Sequence, residues 1–206
     1  MPHDHAHCPH PHQDDHPEPV TFHQVMGSAL RALLIEKGVY TAEAERRRIE
    51  RLQAASPANG ARIVARAWTD PVFRARLLDD PNGAIESLGL EPHNQIHVVE
   101  NTDAAHNVIV CTLCSCYPRQ LLGPQPMWYK SRAYRARVVR EPRTVLAEFG
   151  LHLPDDTALR VHDSTAELRY MVLPRRPAGT EGWDEAALAA LVTRDCLIGV
   201  AVPALP

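Results

Sequence analysis

From Phe22 to Leu88 the apolar positions recur at helical spacing. Leu30, Leu33 and Leu34 form a stripe that stops at Lys37-Gly38, and Thr41 opens a heavily charged helix through Arg46, Arg47, Arg48 and Arg51. Residues 61–68 predict a third helix. Asp70-Pro71 and Asp80-Pro81 each place a capping carboxylate before a proline at the first helical position, and Gly89 ends the series. These charged helices show little sign of a private core, so an extended helical arm is expected over residues 21–90.

After Pro92 the pattern changes. Residues 96–99 and 108–110 are short β-branched runs that predict strands. Leu168, Tyr170 and Val172 alternate with Arg169, Met171 and Leu173, which predicts another. Residues 196–202 are almost continuously apolar and predict a buried strand. Helices are interspersed: residues 142–149 start at a proline and stop at Gly150, and Asp184 precedes Leu188, Leu191 and Val192 at helical spacing. The expected fold class is α+β, with an extended α-helical N-terminal arm followed by a mixed α/β C-terminal domain over residues 91–206. No internal repeat is visible.

The first nineteen residues hold six of the twelve histidines and five prolines, with no aliphatic side chain larger than alanine. Such a segment buries too little apolar surface to offset its ordering entropy, so residues 1–20 are expected to form a disordered, solvated tail. The rest of the 206 residues suffices for a packed core, with 45% hydrophobic composition. A net charge of −3, from 22 basic and 25 acidic residues, argues against a phosphate-driven nucleic-acid binder. Neither a membrane span nor the apolar core of a signal peptide is apparent, so a cytoplasmic protein without a membrane or nucleic-acid partner is expected.

Three of the five cysteines fall within six consecutive residues, Cys111-Thr112-Leu113-Cys114-Ser115-Cys116. A disulfide scaffold spreads its cysteines to close long loops, whereas clustered ones read as metal-binding or catalytic. Cys114 and Cys116 sit too close for two ordinary tetrahedral ligands with a relaxed backbone between them. If the amides of Ser115 and Cys116 lose their protons, two sulfurs and two nitrogens can instead fill a plane around one metal. Cys111 reaches the axis below, and a sixth position stays open. Such strong-field donors favour a small trivalent ion, cobalt(III) or iron(III), over zinc, and an open Lewis-acid position suits hydration chemistry. A structural zinc site lacks a fourth ligand here, and an iron–sulfur cluster lacks a suitable fourth cysteine: Cys8 lies in the tail and Cys196 in an apolar run. On spacing alone, structural and catalytic metal binding both remain open.

The stretch VCTLCSCYP closely resembles the metal-binding motif of nitrile hydratase α subunits and of their relative, the γ subunit of thiocyanate hydrolase. The stretches MWYKSRAYRARVVREPRTVL, ELRYMVLPRRPAGTEGW and VTRDCLIGVAVP continue the resemblance, which covers about residues 61–203. It implies a nitrile hydratase alpha-chain-like fold, with Cys111 as axial thiolate and Cys114 and Cys116 as equatorial ligands oxidised to sulfinic and sulfenic acid. Ser115 and Cys116 would supply the amide nitrogens, and Cys116, Cys114 and Ser115 would form the catalytic centre. It also implies a partner subunit of beta type whose arginines hold the sulfur-bound oxygens, and a cobalt activator protein during maturation. Thr112 and Tyr117 match the cobalt forms of the family, so one Co(III) per chain is expected rather than Fe(III).

One position departs from the pattern. Nitrile hydratases usually carry tryptophan where Arg119 stands, followed by a leucine-rich LGLPP segment. An aromatic wall suits an apolar nitrile, while a guanidinium suits an anion or a polar, hydrogen-bonding substrate. Thr112, Tyr117 and Arg119 are therefore the expected substrate-pocket residues, with a subunit-interface ion pair as the alternative role for Arg119. The resemblance implies hydration of a nitrile to its amide. The alternatives are hydrolysis of thiocyanate to carbonyl sulfide and ammonia, and a non-catalytic cobalt-binding module. The basic run Lys130, Arg132, Arg135, Arg137, Arg140 and Arg143 is expected to form an interfacial or solvated face. His106, His152 and His162 are expected on surfaces or strands, Trp68, Trp128 and Trp183 in packing, and Gly179–Gly182 in a loop without a phosphate role.

Overall fold

The computed structural model describes residues 20–92 and 94–205. The histidine-rich tail, with Cys8, lies outside the described residues. Two compact units divide between Arg47 and Arg48.

The first unit contains helix α1 (Phe22–Glu36) and the start of α2 (Ala42–Ala54). Thr21 and Gln24 form a reciprocal capping box at the start of α1, and Gly38 takes a φ of 68° just past its end. No residue of α1 is buried, so its apolar stripe stays exposed. An Arg31–Glu45 ion pair at 2.7 Å ties α1 to α2.

The second unit begins with α3 (Pro57–Thr69), α4 (Pro71–Asp79) and α5 (Pro81–Glu86). The two Asp-Pro starts work as the sequence implies: Asp70 accepts from the N–H groups of Val72 and Phe73, and Asp80 from that of Gly83. Their packing differs from expectation. Ile63, Val64, Leu77, Ala84 and Ile85 are fully buried, so α3–α5 share the core of the second unit rather than extending the arm to residue 90. The charged face dominates the sequence impression, while the core stripe consists of small and branched residues that read weakly.

Two parallel pairs of strands follow. Strand β1 (Gln95–Glu100) pairs with β4 (Leu168–Leu173), and β2 (Ala105–Val110) pairs with β3 (Ala158–Asp163). Every residue of β2 is buried, as expected of a parallel strand covered on both faces. Between them lie the short helices α6 (Arg119–Leu122), α7 (Arg132–Arg137) and α8 (Pro142–Glu148), with a 3₁₀ turn at Met127–Lys130. Helices α9 (Glu185–Ala190) and α10 (Arg194–Ile198) close the chain.

Helix α10 corrects the strand expected over residues 196–202. A short apolar run fits a buried helix as well as a buried strand, and here the end signals decide. Thr193 caps the N-terminus by accepting from the Cys196 N–H, and Gly199 ends the helix at φ 90°. A Cβ at Gly199 would collide with the Asn107 carbonyl, so this glycine lets the helix end lie against β2. Cys196 is buried core, as expected.

Candidate metal centre

The position of the cysteine loop follows from the β2–β3 ladder. Val110 pairs with Asp163 at the carboxyl ends of the two parallel strands, so the chain leaves β2 directly beside the Asp163 side chain. Asp163 accepts from the Thr112 N–H at 2.9 Å and from the Thr112 hydroxyl at 2.5 Å. Arg135 of α7 donates to the Thr112 carbonyl at 3.2 Å. The loop is thus held from both sides at its first residue after Cys111.

Beyond that anchor the chain turns tightly. The sulfurs of Cys111, Cys114 and Cys116 all lie within 4.8 Å of one another, with Cys111–Cys114 at 3.6 Å and Cys114–Cys116 at 3.3 Å. All three cysteines are free. The Cys114 N–H donates to the Cys111 sulfur at 3.3 Å, and the N–H groups of Ser115 and Cys116 support the Cys114 thiolate. Three sulfurs therefore converge on one small volume, with the Ser115 and Cys116 amides turned toward the Cys114 sulfur, so this group could hold a single metal ion. Tyr129 fixes the exit of the loop by donating to the Cys116 carbonyl at 2.9 Å, and Tyr134 secures its base by donating to the Ile109 carbonyl at 2.7 Å.

Crowding splits the thiol acidities. Hydrogen bonding from Cys116, then from the Ser115 amide and Cys111, lowers the Cys114 thiol to about 7. Burial, followed by competition with the other two sulfurs, pushes Cys116 up to about 12, and the nearby Arg169 guanidinium opposes that rise. Cys114 therefore gives up its proton far more readily than Cys116, whose proton a bound cation would have to displace.

The loop opens into a cavity of about 550 Å³ lined by Cys114, Ser115, Cys116, Arg119, Gln125 and Arg169, among others. Arg119 lies on this wall. Tyr117 also lines it, but its hydroxyl is buried without a hydrogen-bond partner, and burial raises its pKa. Thr112 is not among the lining residues; its hydroxyl is committed to Asp163, so it is a loop anchor rather than a pocket residue.

Several residues at the centre carry no legible signal on their own. Arg169 sits on β4 with Nε and Nη1 buried and unpartnered. Asp163, Tyr129 and Tyr134 become significant only through the fold. The other expectations resolve structurally. Arg137 pairs with Glu141 and Glu148, and Arg143 donates to carbonyls between Leu153 and Thr157. Trp68 donates to the Pro174 carbonyl at 2.9 Å, and Trp128 packs edge-on against Tyr134 and Phe149. Thr180 of the 179–182 loop is buried and bonded to Arg176. His106 is buried in β2, donating from Nε2 to the Gly199 carbonyl and accepting at Nδ1 from Asn101, and burial lowers its pKa. Among the described residues, no helix is long and apolar enough to cross a membrane.

The family model for the nitrile hydratase alpha chain matches residues 22–201. The chain is 51% identical over 185 residues to the low-molecular weight cobalt-containing nitrile hydratase subunit alpha of Rhodococcus rhodochrous, covering 86% of this chain and 87% of that one. It is 45% identical over 199 residues to the thiocyanate hydrolase subunit gamma of Thiobacillus thioparus, covering 90% and 82% respectively. Among solved structures, a double mutant of the Fe-type nitrile hydratase from Comamonas testosteroni Ni1 matches with a TM-score of 0.76 and 48% identity, covering 89% of this chain and 94% of that one.

Proposed function

The chain belongs to the nitrile hydratase alpha-chain family, and on that footing we propose that it is the metal-holding subunit of a cobalt nitrile hydratase. The carrying observation is the convergence of three free cysteine sulfurs at the edge of a cavity large enough for a small organic substrate. Cys111, Cys114 and Cys116 would hold the ion through sulfur, and Ser115 and Cys116 through their amide nitrogens. A trivalent cobalt bound there supplies a Lewis acid that activates water or polarises a carbon–nitrogen triple bond.

This chain's other residues keep the donors in place and shape the approach. Asp163 and Arg135 hold Thr112, Tyr129 holds the Cys116 carbonyl, and Arg169 places positive charge beside the Cys116 sulfur. That charge stabilises anionic sulfur, whether thiolate or oxidised. We assign the oxidised forms to Cys114 and Cys116, the two more accessible sulfurs, since Cys111 is buried. The cobalt assignment rests on Thr112 and Tyr117 and on the cobalt-containing relative, against an iron-type structural neighbour. A beta-type partner subunit supplying arginines, and an activator protein that loads the metal, complete the proposal.

Arg119 favours a second reading, because two guanidinium groups on one cavity wall suit an anion. Thiocyanate then takes up two waters to give carbonyl sulfide, ammonia and hydroxide. The test is to co-express the chain with its neighbouring subunits and cobalt, then offer both substrates. Amide formation without ammonia supports nitrile hydration; ammonia from thiocyanate with no amide from nitriles replaces it with the second reading.

A further inference from the structure

The peptide that joins Ser115 to Cys116 is held at both of its ends. Its N–H, that of Cys116, faces the Cys114 sulfur, and its carbonyl oxygen, that of Ser115, accepts from Nε2 of Gln125 at 3.2 Å. The same Nε2 donates to the Ser115 hydroxyl oxygen, also at 3.2 Å, so both of its protons are committed to one residue of the cysteine loop. The amide cannot be turned over, because its oxygen would then meet the Ser115 carbonyl oxygen, and both are acceptors. The backbone around Gln125 is stiff. Pro124 and Pro126 flank it, and Gly123 takes a φ of 74° where an added Cβ would lie 2.7 Å from the Ala55 carbonyl oxygen.

A peptide group is conjugated, so its nitrogen and its oxygen share charge. When a metal ion takes the place of the proton on the Cys116 nitrogen, part of the negative charge resides on the Ser115 oxygen. A hydrogen bond to a charged oxygen is roughly twice as strong as one to a neutral carbonyl. The Gln125 contact is therefore stronger with the metal bound than without it, although Gln125 itself touches no metal. Tyr129 makes a useful contrast: it donates to the Cys116 carbonyl, which belongs to the next peptide, whose nitrogen is that of Tyr117.

Resting on the metal-holding reading above, we propose that Gln125 is a positioning residue for the metal centre. It fixes the plane of the Ser115–Cys116 peptide and stabilises the charge on its oxygen when the Cys116 nitrogen binds the ion.

The test uses the chain assembled with its partner subunits and loaded with cobalt. Gln125→Met keeps the length of the side chain and removes the donor. Gln125→Glu keeps the shape and puts an acceptor in its place, and Tyr129→Phe serves as the comparison. The EDTA concentration that strips half of the cobalt under reducing conditions is measured, together with X-ray absorption and thermal unfolding. Gln125→Met should lower that concentration about tenfold, and Gln125→Glu further still. In both, the light-atom shell of the metal should weaken or lengthen while the sulfur shell and the Tm stay as in wild type. Tyr129→Phe should keep the wild-type light-atom shell. Wild-type cobalt retention in both Gln125 variants overturns the assignment. So does the same change of shell in Tyr129→Phe, which would make the effect a general loosening of the loop. If the methionine variant fails to fold, the glutamate variant decides alone. A wild-type complex that takes up no cobalt contradicts the metal-holding reading, and the role of Gln125 falls with it.

Discussion

Helix α1 and strand β2 are both rich in large apolar side chains, yet their fates are opposite. Phe22 is 70% exposed and Leu30 54%, and α1 buries none of its residues, whereas β2 buries all six. The difference lies in what surrounds them. Strand β2 pairs with β3, carries the end of α10 through Gly199, and leads without a break into the cysteine loop. Its burial fixes the base of the metal centre, while α1 leaves its apolar stripe exposed. Stability and site geometry therefore draw on the same few residues, and changes along β2 should reach the metal while changes along α1 should not.

The largest effect is expected at the centre itself. Cys114→Ala removes the sulfur that stands 3.6 Å from that of Cys111 and 3.3 Å from that of Cys116, and should abolish both metal retention and turnover, read by metal analysis of the purified complex. Next comes the strand beneath it. Ile109→Ala empties a fully buried site and should cost about 2–5 kcal/mol in denaturant unfolding, with reduced metal loading as a consequence. Asp163→Ala releases Thr112 while leaving every sulfur in place, and a loss of about tenfold in affinity for divalent cobalt under reducing conditions is expected.

The pH dependence tests the buried network of β2. Burial lowers the pKa of His106 below its ordinary 6.5, and the neutral ring both donates and accepts. In the window below 6.5 the unfolded chain binds the proton that the folded chain refuses, so this stabilisation is present above 6.5 and is lost as pH falls through the folded value. Thermal melts from pH 7 to 5 should show a falling Tm, with a shallower fall in His106→Gln. The smallest effect belongs to α1: Leu30→Ala should change the unfolding free energy of the isolated chain by no more than about 0.5 kcal/mol. A large loss there would erase the contrast with β2.

How far the sequence speaks follows the same division between local and distant information. The cysteine loop, the Asp-Pro caps and strands β1, β2 and β4 are written in consecutive residues, and each is legible from spacing or periodicity. Strand β3 is not, because Ala158–Asp163 carries two charged residues and pairs in parallel with a segment some fifty residues earlier, with no turn to announce it. The same distance hides Asp163 as the anchor of Thr112. Helix α10 was obscured by its unbroken apolar run, although Thr193 and Gly199 mark its two ends. Arg169 looks like an ordinary polar position in an alternating strand until β4 is placed beside the cavity.

X-ray absorption at the metal edge of the co-purified complex tests the central claim most directly. The account predicts one ion with three sulfur neighbours and at least two light nitrogen or oxygen neighbours, and loss of that signal in Cys114→Ala. A tetrahedral shell of four sulfurs, or a shell without sulfur, would contradict it.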